Sequence, residues 1–144
     1  MTTEQIKVSL NFIPALVAIL MVFAMPRLEH LFFPVVRDFV VVGMVKEPEA
    51  VTINGYMRKV RDCKFVGVQA SSVDSTGHEH DAPLIFLDAK DNNATRPQGT
   101  QTWGPWQITV KVADADSVRL SATHRCHWVY ANDTLLANIP LREH

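Results

Sequence analysis

The stretch VRLSATHRCHWVY, Val118–Tyr130, alternates by twos. Val118, Leu120, Ala122, His124, Cys126, Trp128 and Tyr130 share one parity; Arg119, Ser121, Thr123, Arg125, His127 and Val129 share the other. Successive side chains of an extended strand point to opposite faces, so the pattern predicts a half-buried β-strand. Its even face enters a core and takes Cys126 with it. The same signature recurs on either side. Trp106, Ile108, Val110 and Val112 share a face in a second predicted strand, Trp106–Val112. Pro83-Leu84-Ile85-Phe86-Leu87 is apolar on both faces, as in a central strand. Around Cys63, KVRDCKFVGVQA alternates less cleanly, but its valines and phenylalanine favour a strand over a helix. Val51–Met57 and Thr134–Leu141 are expected at sheet edges, the second because Pro140 has no N–H to donate. Turn-forming residues fill Ser71–Asp81, Lys90–Gly99 and Ala113–Ser117. Short strands with such connections predict an all-β antiparallel sandwich over residues 50–144.

Upstream of Lys46-Glu47-Pro48-Glu49 the chain changes character. Val8–Met25, VSLNFIPALVAILMVFAM, has eighteen residues and no formal charge. An apolar run of about 18 is the usual minimum for a membrane-spanning helix, and at about 1.5 Å per residue it measures roughly 27 Å. Asn11 is placed to cap this helix, with Pro14 in its first turn. Three readings compete: a cleaved signal peptide, a buried core helix and an uncleaved signal anchor. The run is long for the first, with little positive charge ahead of it and no clean small-x-small site behind. It lacks the polar face of the second. The expectation is a leader over 1–7 and a single-pass transmembrane helix over 8–28, flanked by Lys7, Arg27 and Glu29, which hardly orient it. Residues 29–49 contain two short apolar pieces separated by Arg37-Asp38, a charge pair that a second span would hold centrally at high cost. They are expected to form a juxtamembrane stem: kinked near Pro26, interfacial at Phe32 and Phe33, and extended over Phe39–Val45.

Two cysteines, Cys63 and Cys126, fall on predicted strands with Trp103 and Trp106 between them. The arrangement resembles the Cys…Trp…Cys pattern of immunoglobulin-like domains, although His124 stands where such domains carry a corner tyrosine. KVRDC and HRCHW in a short, single-anchor chain are similar to uncharacterised small membrane proteins of bacterial, phage and prophage genomes, a resemblance that implies no activity. One disulfide stapling two strands across the core would add roughly 2–4 kcal/mol. It would also place the domain in an oxidising compartment, on the periplasmic or extracytoplasmic side. The alternative is two buried free thiols.

The remaining motifs are weighed as sites. His78-Glu79-His80-Asp81 and His124-Arg125-Cys126-His127 would offer imidazoles to a transition metal if the loop folded onto the strand. On a strand, however, His124 and His127 diverge, and His78 and His80 alone are a poor set; no metal and no cofactor are expected. Arg58, Lys59, Arg61 and Lys64 read as a solvated strand edge in preference to a headgroup-binding patch. Trp103-Gly104-Pro105-Trp106 predicts a bend with one ring in the core and the other outside as a candidate interaction anchor; the alternative, and the more frequent use of such a motif, is a packed corner. A formal charge of −1, from 14 basic and 15 acidic residues, gives no field for nucleic acid. Gly-x-Ser-x-Gly, phosphate-loop and His-Glu-x-x-His patterns are missing from the sequence, so catalysis is not expected. The leading expectation is a membrane-anchored structural or interaction protein of an envelope or virion-associated assembly, with a lipid bilayer and either protein partners or a second copy as its contacts. The alternative is a metal-binding protein or small metal-dependent enzyme using the four histidines.

Overall fold

A computed structural model describes residues 3–88, 96–128 and 130–142. The chain forms two units, Met1–Phe33 and Pro34–His144. The first is one helix, α1 (Thr3–Phe32). It takes in the expected leader, so Asn11 and Pro14 lie inside the helix and not at its start. Thr3–Lys7 includes Glu, Gln and Lys, which are good helix formers and present no stop signal. The window Phe12–Glu29 has mean hydropathy 1.8 and none of it is buried. With 3.6 residues per turn, Phe12, Leu20, Met21 and Val22 point to successive sides of the helix, and all are exposed. A surface helix of a soluble domain would keep one face polar. This helix is long and apolar enough to cross a membrane.

The second unit has eight strands: β1 (Val36–Glu47), β2 (Ala50–Lys59), β3 (Lys64–Asp74), β4 (Glu79–Ala82), β5 (Leu84–Phe86), β6 (Gly99–Thr109), β7 (Ala115–Arg125) and β8 (Asn132–Pro140). They make two antiparallel four-stranded sheets, ordered β1-β2-β6-β5 and β4-β3-β7-β8. Hairpins alternate between the sheets along the chain: β1–β2, β3–β4, β5–β6, β7–β8. The buried faces share one apolar cluster. Val51, Ile53, Trp103, Trp106 and Ile108 come from one sheet; Ala70, Val118, Leu120 and Ile139 come from the other. Two sheets around a common core are a sandwich-like arrangement.

Several expectations are corrected. Residues 36–47 are not a stem: they form β1, and the β domain begins at Pro34 and not at residue 50. β1 escapes a period-2 reading because its pairing shifts between Arg37 and Val40 and again between Val41 and Gly43. Asp38 takes a positive φ of 51° at the first irregularity, a conformation that a short polar side chain tolerates better than most. Because β1 covers one side of β2, β2 is interior and not an edge strand. Conversely, Leu84–Phe86 is an edge, which leaves Ile85 and Leu87 about half exposed. β8 does lie at an edge, with Pro140 at its end. β7 stops at Arg125, so Trp128 points into solvent at 93% exposure instead of joining the even face.

Trp103 and Trp106 are both buried, so neither ring is the exposed anchor. Two residues three apart on a regular strand face opposite sides. Here Ile53 pairs with Trp106 and Gly55 with Trp103, so Asn54 alone faces Gly104 and Pro105. The extra residue is a bulge, and it restores a common parity. Gly104 has φ 87°, and a Cβ there would lie 2.7 Å from the Ile53 carbonyl oxygen. Inside, the Trp103 and Trp106 rings sit 4.6 Å apart, and Phe39 of β1 stacks on Trp103 at 4.5 Å.

Candidate functional site

The register pairs Val36↔Lys59, Lys59↔Gly99, Lys64↔Arg125 and His124↔Asn132 close their ladders at one end of the β domain. Cys63 and Cys126 meet there. Their Sγ atoms are 2.06 Å apart, at disulfide distance, and their Cα atoms 4.5 Å apart. Each sits one residue beyond the Lys64↔Arg125 pair, so the link joins neighbouring strands of one sheet. This corrects both the staple across the core and the immunoglobulin-like pattern, in which the cysteines bridge opposite sheets. Val35, Val36 and Cys63 form a second buried cluster, with Cys126, Met57 and Leu136 against it. The Val60 N–H donates to the Val35 carbonyl at 2.9 Å. The point where the chain arrives in the domain is therefore fastened to the cysteine pair.

A cavity of about 40 Å³ is bordered by Val36, Met57, Phe65, Trp106, Lys59 and His124 among others, room for a water or two. Lys59 is 3% exposed. Its Nζ donates to the Cys63 carbonyl at 3.0 Å and the Arg96 carbonyl at 2.5 Å. Burial pushes its pKa below the ordinary lysine value, and Asp62 opposes that shift. Lys59 is thus no solvated edge cation. It follows Val51, Ile53, Gly55 and Met57 on the inward parity of β2, a signal the sequence does contain. His124, 4% exposed, has an Nδ1 with no hydrogen-bond partner among the described residues. Desolvation, and secondly the charge of Lys59, push its pKa down to about 4. The ring is neutral at pH 7.

The other members of the basic group are less buried than Lys59. Arg58 pairs with Asp38 at 2.7 Å on the surface; Arg61 is half-buried and Lys64 exposed. Lys64 stands directly opposite Arg125, also exposed.

The histidines are not brought together. His78 and His80 belong to the β3–β4 hairpin, where Asp74 organises the turn. Asp74 accepts from the Thr76 hydroxyl at 2.6 Å, the Thr76 N–H at 2.8 Å and the His78 N–H at 3.0 Å. His80 Nε2 lies 3.2 Å from the same carboxylate. The Thr76 and His80 side-chain bonds hold the Asp74 carboxyl well below its usual range. Phe65 pairs with His124 and Ser72 with His80, so seven residues of β3 hold the two groups roughly 23 Å apart. His127 lies past the end of β7, its ring 5.2 Å from that of Tyr130. Among the described residues no group of three or more His, Cys, Asp or Glu side chains is placed to hold a metal. Of the other expected anchors, Phe32 and Phe33 are exposed at the end of α1. The expected Lys90–Gly99 turn lies largely outside the described residues.

No protein-family model matches the chain, and no curated protein or solved structure is found to be similar to it.

Proposed function

We propose that this chain is a single-pass membrane protein whose β domain is a non-catalytic structural or interaction module of an envelope or virion-associated assembly, displayed on the extracytoplasmic side. The observation that carries the reading is α1: an 18-residue window, Phe12–Glu29, with mean hydropathy 1.8 and no buried part. Leaving so much apolar surface in water is unfavourable by roughly 25 cal/mol per Å², and a bilayer removes that cost. The cysteine pair at bonding distance supports an oxidising compartment. An interaction role is supported by β1, an edge strand with exposed Val42 and Val45. Its free ladder groups suit a protein partner or a second copy.

The test is fractionation of the full chain expressed in bacteria. It is expected in the membrane pellet after alkaline carbonate extraction, and removal of residues 8–25 is expected to release it. Recovery of the intact chain in the soluble fraction would sink the anchor. Protease added to spheroplasts is expected to digest the β domain; full protection would overturn its sidedness.

A further inference from the structure

We infer that the cysteine-linked end of the β domain rests on the headgroup layer of an anionic bilayer, with Trp128 at the interface and Lys64 and Arg125 on lipid phosphates. This rests on the anchor reading of α1.

The first support is the tether. Phe32 closes α1 and Val36 opens β1, so three residues separate them. At no more than about 3.6 Å per residue, the four steps reach roughly 14 Å. Past the apolar window only His30, Leu31 and Phe32 remain in the helix, less than one turn. A spanning α1 therefore delivers Val36 close to the headgroups. Val36 shares its end of the domain with Cys63, Cys126 and the Lys64↔Arg125 pair. What lies at that end is the membrane-facing surface.

The second support is its chemistry. Trp128 is 93% exposed, more than any other large apolar side chain among the described residues. It stands two residues past Cys126, so a covalent link restricts where it reaches. Tryptophan is enriched at membrane interfaces, where its ring is part dry and its N–H still bonded. Lys64 and Arg125 face each other across the β3–β7 ladder, both exposed. Like charges directly opposite on neighbouring strands repel, and neither takes part in an ion pair among the described residues. A phosphate between them reverses the sign of that interaction, and an anionic headgroup, with no ammonium of its own to offset the charge, supplies one at this height.

The test uses the full chain in vesicles of phosphatidylcholine alone and of phosphatidylcholine with phosphatidylglycerol. Subtracting the emission of Trp128→Phe isolates Trp128 from the buried Trp103 and Trp106. In the anionic vesicles the Trp128 component is expected to lose several-fold in acrylamide quenching and to be quenched by lipid brominated near the headgroup. Phosphatidylcholine alone is expected to protect it less. Lys64→Glu with Arg125→Glu is expected to restore acrylamide access while flotation with the vesicles is unchanged. Protein that floats but leaves Trp128 as accessible as in buffer overturns the inference and spares the anchor. Equal protection in the two lipids overturns the headgroup assignment without reliance on any charge variant. Protein that does not float removes the anchor reading, and this inference with it.

Discussion

Gly55 lies where β1 crosses closest to the tryptophan pair. A Cβ there would sit 1.9 Å from the Val40 carbonyl oxygen and 2.8 Å from the Trp103 ring. Backbone cannot give way as a flexible side chain does, so Gly55→Ala is expected to cost about 3 kcal/mol or more, read as a lowered urea midpoint. His124 makes a different prediction. Its pKa is about 4 in the folded chain, against about 6.5 when unfolded. Between those values the unfolded state binds the extra proton, so stability falls as pH falls through this window, by up to about 3 kcal/mol. His124→Leu is expected to flatten that part of the melting-temperature profile. At this scale much was legible. The inward parity of Lys59 and His124 follows from counting along β2 and β7. The contact that forbids a side chain at Gly55 does not, since it depends on a bulge in another strand.

Among the elements, β7 is the one that its own sequence describes best, over Val118–Arg125, because its ladder with β3 stays regular across its middle; its first residues, Ala115–Ser117, fall instead in an expected turn. β1 is the opposite case. Two irregularities scramble its parity, and its apolar run, which follows α1 in the chain, then reads as an extended juxtamembrane stem. The difference is testable. A fragment starting at Pro34 is expected to give a cooperative unfolding transition. One starting at Ala50 loses Phe39 from its stack on Trp103 and the whole outer ladder of β2; it is expected to lack near-ultraviolet dichroism from ordered tryptophans. The Trp103–Trp106 corner obeys similar logic. Deleting Gly104 removes the bulge residue, and one position of slip turns a side chain to the other face. That variant is expected to expose Trp103, with a red-shifted emission maximum and the loss of several kcal/mol.

For the whole molecule, composition and hydropathy pointed to two parts of different character, and the cysteines to a link between strands. Topology was beyond reach: nothing in the spacing says that β3 and β7 are neighbours in one sheet, and the link changes meaning on that point. A bond between adjacent strand ends closes the β3–β7 ladder and holds down Val35 and Val36. Cys63→Ala with Cys126→Ala is expected to lower stability by roughly 2–4 kcal/mol, and by more for protease cleavage near Val36 than for global unfolding by urea.

That fastening also decides how the molecule carries force. Tension arriving through α1 acts on β1 at Val36, and β1 runs from there to Glu47 alongside β2. If a partner grips the far end of the domain, the pull lies along the strands and loads the β1–β2 hydrogen bonds in shear, many at once. A partner gripping the near end would peel them singly. The geometry is that of a coupling that is strong when β1 is pulled lengthwise and weak when it is peeled from β2.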